Sequence, residues 1–117
     1  MTTLEHTRTA QELLAKSDKQ FAAGEYREGS KTLWRAAEIA MTAVAEQRGW
    51  KHSDYKELLQ AGKLLAQEQG NKSIYTGFGA ARLFYDNSRF GFLEDYELDA
   101  FAPPTHDFIN RMLSLME

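Results

Sequence analysis

Two stretches of the chain place side chains where they could hold or act on an anion. Arg48, Trp50, Lys51 and His52 lie almost side by side, a mixture of positive charge and aromatic plane that can stack a base while a cation holds a phosphate. The same residues suit a tryptophan that pins the loop after a helix, and that role is the commoner one. Arg82, Asp86 and Arg89 recur at i, i+4 and i+7, so on a helix they share one side, the carboxylate between two guanidinium groups. Such a row is either a face for an anionic ligand or a solvated run with an ion pair worth roughly 0.5 kcal/mol.

Other chemistry finds little support. The chain has no cysteine, which removes disulfides, thiolate zinc sites and cysteine nucleophiles together. His6, His52 and His106 are isolated, without the paired spacing of a zinc helix. Glu94, Asp95, Glu97 and Asp99 could supply oxygen ligands to a hard cation, yet they lack the glycine-bearing loop of a calcium hand and read as a solvated acidic face. No phosphate-binding glycine loop or nucleophile elbow occurs. No catalytic residue, metal or cofactor is therefore assigned.

Charge narrows the choice of partners. A net charge of −3 opposes broad attraction to nucleic acid, which depends on many Lys and Arg meeting phosphates. The acidity is concentrated beyond residue 73, so any RNA or nucleotide contact is expected on the first two helices. No apolar run approaches the length of a membrane helix, and the N-terminus has no apolar or basic leader. The chain reads as cytoplasmic, with no membrane partner.

The elements that must position these residues are helices. Thr9 and Glu12 have the form of a capping box for a first helix over about 10–23, with apolar residues at Ala10, Leu13, Leu14 and Phe21 and a stop at Gly24. The second, longest helix runs over about 25–48, with Tyr26, Leu33, Ala37, Ala40, Met41 and Val44 on one stripe. Ser53 can cap a third helix that ends at Gly70, and Asn71 and Ser73 cap a fourth from Ile74 to about Phe90. Gly77 and Gly79 weaken that helix unless packing or a ligand requires the missing side chain. The acidic segment 92–101 permits a short helix, Pro103 and Pro104 forbid its continuation, and Thr105 can cap a last helix carrying Phe108, Ile109, Met112, Leu113 and Met116.

The expectation is an all-α fold: an antiparallel up-and-down bundle of four long helices plus a short acidic helix, with the C-terminal helix packed across it. Residues 1–9 form an N-terminal segment with freedom to move, and 10–117 form a single domain. Seven Phe, five Tyr and two Trp are many for so small a bundle. Trp34, Phe78, Phe84 and Tyr85 are candidates for the core or for a homodimer interface, or for the lining of a small-molecule cavity between the second and fourth helices.

The segment Phe21-Ala-Ala-Gly24-Glu-Tyr26, the run Lys31-Thr-Leu33-Trp34-Arg-Ala36-Ala37, and the ending Arg48-Gly49-Trp50 resemble the first hairpin of the HEPN-like helical proteins. The likeness is to the archaeal repeat-associated PaREP group and its bacterial relatives, over residues 10–55. The resemblance implies an antiparallel, often dimeric bundle, in a group whose members are RNA-cleaving toxins, nucleotide-linked partners of small transferases, or proteins of no known activity. Catalytic members carry Arg, four to six residues, then His. Here Arg48 and His52 have only three residues between them. A tetratricopeptide-like hairpin has a similar Gly-x-Tyr turn, but the pattern does not recur downstream. The leading expectation is a non-catalytic, HEPN-like dimeric interaction module, with RNA or a nucleotide-handling protein as partner. The alternatives are a degenerate ribonuclease or nucleotide-processing enzyme using Arg48 with His52 or Arg82 with Arg89, and a small-molecule binding domain.

Overall fold

A computed structural model describes residues 2–116, which form five α-helices and, among the described residues, no strand. They are α1 (Thr3–Ala22), α2 (Tyr26–Gln47), α3 (Tyr55–Gln69), α4 (Ser73–Phe90) and α5 (Asp95–Leu115). The helix stops follow the glycines: Gly24, Gly49, Gly70 and Gly91 all take positive φ, a backbone state without penalty only where no Cβ exists. None of the described helices is long and apolar enough to cross a membrane.

The core is built around α2, which packs against each of the other four helices. Leu33, Ala36, Ala37, Ala40, Met41 and Val44 are buried along it. Their mostly small side chains let neighbouring backbones come close. Phe21 of α1 lies 3.1 Å from the position a Cβ on Gly29 would occupy, so α1 and α2 meet there ring against backbone. Gly77 serves a similar contact between α4 and α5: an added Cβ would stand 2.8 Å from Phe108 Cβ and 3.2 Å from the Pro104 carbonyl oxygen. Packing thus accounts for the glycine that weakens α4 at Gly77, whereas Gly79 faces open space.

The ends of three elements differ from the sequence reading. α4 starts at Ser73 after Lys72, so Ser73 lies inside the helix and is no cap, and its N–H donates to Asn71 Oδ1 at 3.0 Å. α1 starts at Thr3, capped by Thr2, whose hydroxyl accepts from Glu5 N–H at 3.1 Å. Thr9 lies inside the helix and is no cap. α3 is capped by Asp54, one residue after Ser53, through a 2.8 Å bond from Glu57 N–H.

The larger correction concerns α5. The expected acidic helix and the last helix are one continuous element that passes through Pro103 and Pro104. It starts at a capping box between Glu94 and Glu97. Proline removes the N–H that would reach back four residues. The carbonyls so released belong to Asp99 and Ala100, both on the exposed side where water can serve them. Leu98, Thr105, Phe108 and Ile109 are buried on the other side. That burial holds the helix through the two prolines. Thr105 is no cap: its hydroxyl donates to the Phe101 carbonyl at 2.9 Å.

Candidate functional site

The predicted residues fall mainly into two places, and a third shares Trp34, Tyr85 and Arg89 with the second. At the α2–α3 end, Arg48 binds Glu68 twice, with Nη2 2.8 Å and Nε 3.1 Å from Oε2, and its guanidinium lies 5.9 Å from the Trp50 ring centre. That donation holds the Glu68 carboxyl below its ordinary value. His52 Nδ1 is 2.9 Å from the Trp50 carbonyl oxygen, an acceptor, so Nδ1 carries a proton and donates there. Its Nε2 faces Glu46 Oε2 at 3.9 Å, and His6 Nδ1 stands 3.4 Å from Glu46 Oε1. Thr3 Oγ1 donates to the same Glu46 Oε1 at 2.8 Å. The Thr3 hydroxyl, with the histidine charges behind it, pulls the Glu46 carboxyl below 4.5 despite partial burial. Trp50 is half-buried and packs on the core.

The second place is an aromatic cage. Arg82 is not part of a solvated row; its guanidinium carbon lies 4.0 Å from the centroids of both Tyr55 and Tyr85 and 5.1 Å from that of Trp34. Cation and ring faces attract, more strongly as water is excluded. Burial pushes the Tyr55 hydroxyl above its ordinary value, opposed by the Arg82 charge. Among the described residues Asp86 makes no ion pair, so rings rather than the carboxylate hold Arg82. Arg89 Nη1 donates to the Tyr85 hydroxyl at 3.2 Å.

Trp34, Phe78 and Phe84 are buried within the single chain. Phe78 is packed between the rings of Trp34, Tyr55 and Phe108, which fills the interior where a cavity between α2 and α4 was expected. The exposed aromatics are others: Tyr26 (45%), Phe90 (69%), Phe92 (47%) and Tyr96 (73%). Three of them flank the α4–α5 turn. Arg27, next to Tyr26, donates to the Ser88 and Arg89 carbonyls at 3.3 and 2.6 Å and packs on Gly91. Asn87 fixes the same turn from inside, its Oδ1 accepting from Leu93 N–H at 2.8 Å and its Nδ2 donating to Ser30 Oγ at 2.9 Å.

The third place shares Trp34 and Tyr85, but not Phe78 or Phe84, with the cavity expected between α2 and α4, and its α1 side and basic rim were not foreseen. A cavity of about 670 Å³ opens over α2, between α1 and α4, walled by Trp34 and Tyr85 and ringed by Lys16, Lys31, Arg35 and Arg89. Glu28 and Glu38 also line it, and Glu38 pairs with Arg35. Its cations come from three helices, so no single stretch of sequence announces it. The one local signal is Lys31, Trp34 and Arg35 within a turn of α2.

A family model described as the archaeal PaREP1/PaREP8 family matches residues 5–102. The match extends beyond the first hairpin, through α4 and into α5. No curated protein and no solved structure matches.

Proposed function

We propose, because this chain belongs to the archaeal PaREP1/PaREP8 family and carries a rigid exposed aromatic surface, that it is a non-catalytic, HEPN-like interaction module that works as a homodimer in the cytoplasm. The observation that carries the reading is the set Tyr26, Phe90, Phe92 and Tyr96 around the α4–α5 turn. Isolated monomers rarely leave several large rings in water around one rigid feature, and aromatic residues are enriched at interface cores. The turn is preorganised by Arg27 and Asn87, which lowers the ordering cost of association. The partner that fits is a second copy of the chain.

The antiparallel course of the bundle is supported by paired contacts at opposite ends of α1 and α2. Thr3 meets Glu46 at one end, and Phe21 meets Gly29 at the other. The non-catalytic reading is supported by the state of Arg48 and His52, whose polar atoms are engaged by Glu68, the Trp50 carbonyl and Glu46.

Sedimentation at tens of micromolar tests the dimer. The expected species has twice the 13.3 kDa chain mass, and Phe90→Asp with Tyr96→Asp returns it to the single-chain mass. A wild-type chain that sediments only at 13.3 kDa removes the dimer. Cleavage of a mixed RNA pool, abolished by His52→Ala, removes the non-catalytic reading.

A further inference from the structure

The cavity between α1 and α4 has a composition that the dimer reading does not use. Lys16 and Lys31 stand on its rim, on α1 and α2, and neither makes an ion pair among the described residues. Four basic side chains surround it against two acidic ones, one of which is occupied by Arg35. The excess is positive on a chain whose net charge is −3, so charge is segregated here. The wall is aromatic. Tyr85 presents a ring already held in place by Arg82 and by Arg89, so little order has to be gained when a flat ligand arrives. Gln20, on the α1 side, also lines the cavity, and its Oε1 is buried without a hydrogen-bond partner. A buried polar atom left unpaired is costly and calls for an explanation. An amide that can turn about its last torsion finds a partner in a ligand that brings polar edges into the cavity. The volume lies within the range of small-molecule sites.

We propose that this cavity binds a planar base carrying phosphate, the base against the Tyr85 ring and the phosphate between Lys16 and Lys31. A free mononucleotide and a single-stranded RNA share that chemistry. Neither lysine is buried, so substituting them leaves the core intact, and a thermal melt checks this directly.

The test measures anisotropy of fluorescein-labelled AMP and of a labelled adenylate hexamer, in low salt, with unlabelled inorganic tripolyphosphate as a ring-free competitor. Binding of both probes identifies a mononucleotide site, and binding of the hexamer alone identifies a strand site; either supports the proposal when tripolyphosphate competes at least about tenfold more weakly than the unlabelled probe, since stacking is worth about that factor. Lys16→Glu with Lys31→Glu is expected to weaken binding about 100-fold, each lysine supplying a charged hydrogen bond. No binding of either probe overturns the proposal. So does tripolyphosphate competing as well as the unlabelled probe, or undiminished binding by the folded lysine double variant. None of these outcomes bears on the mass measured by sedimentation, so this site and the dimer stand or fall separately.

Discussion

Two regions of this small bundle combine basic side chains with a tryptophan, and they differ in what the charges already touch. At the α2–α3 end, Arg48 is spent on Glu68, and His52 lies between the Trp50 carbonyl and Glu46. In the cavity between α1 and α4, Lys16 and Lys31 have no acidic partner among the described residues. Composition makes the first region look like the ligand site, since its residues are adjacent in sequence. Internal neutralisation reverses the ranking. A charge already paired within the chain gives up one partner to gain another, and the net affinity is small. A free charge beside a fixed ring has only hydration to lose.

The sharpest way to break this comparison is to reverse charge on both sides. Arg48→Glu with His52→Glu is expected to change nucleotide binding by less than about twofold, against about 100-fold for the two cavity lysines, because both groups already have partners within the chain whereas the lysines have none among the described residues. Anisotropy on both double variants in the same buffer measures the ratio. Equal losses would mean that long-range charge, rather than local pairing, decides where the ligand sits.

A smaller effect is expected at Arg82, which stands behind the cavity wall. Three rings surround its guanidinium, so Arg82→Leu keeps the bulk and loses the cation. The expected cost is about 1–2 kcal/mol of stability, the scale of a partly desolvated cation–π contact, read from urea unfolding. Arg48→Leu, at the other region, should cost less than about 1 kcal/mol, because its pairing with Glu68 is exposed. If the two losses are equal, the cage contributes no more than a surface ion pair.

The sequence made much of this visible and hid the rest for identifiable reasons. The apolar spacing of Leu33, Ala37, Ala40 and Val44 announces α2, and Gly24, Gly49, Gly70 and Gly91 punctuate the chain where the helices stop. Local signals suffice where a helix begins and ends by its own capping. They fail at α5, because Pro103 and Pro104 forbid a helix in isolation, whereas burial of Leu98, Phe108 and Ile109 imposes one. Tertiary packing outweighs propensity there. The cavity was hidden for a different reason. Lys16 and Gln20 on α1, Lys31 and Arg35 on α2, and Arg89 on α4 each look like ordinary surface residues until three helices are placed side by side. Trp34 was legible as core, and it is 4% exposed; its second role as cavity wall depends on neighbours distant in sequence. Arg82 with Asp86 was legible as a helical row, but which groups hold the guanidinium depends on Tyr55, contributed by α3.

The smallest expected effect concerns Glu46, which keeps the α2–α3 end neutralised. Its carboxyl is held below 4.5 in the folded chain, first by the Thr3 hydroxyl and then by the charges of His6 and His52. A carboxylate whose folded pKa is depressed binds fewer protons folded than unfolded near that pH. It therefore adds stability that is present above the unfolded pKa and is lost as pH falls through the lower folded value. Thr3→Val removes the hydroxyl that donates to Glu46 while keeping the shape. The variant should be less stable than wild type at pH 7 by about 0.5 kcal/mol, the scale of a partly exposed charged contact, and the gap should close as pH falls through the lowered folded value and Glu46 takes up its proton in both chains. Urea unfolding at pH 7 and at an acidic pH below that folded value measures it. A gap that is the same at both values would assign Thr3 a packing role, leaving Glu46 free to exchange His52 for an outside cation and weakening the contrast between the two regions.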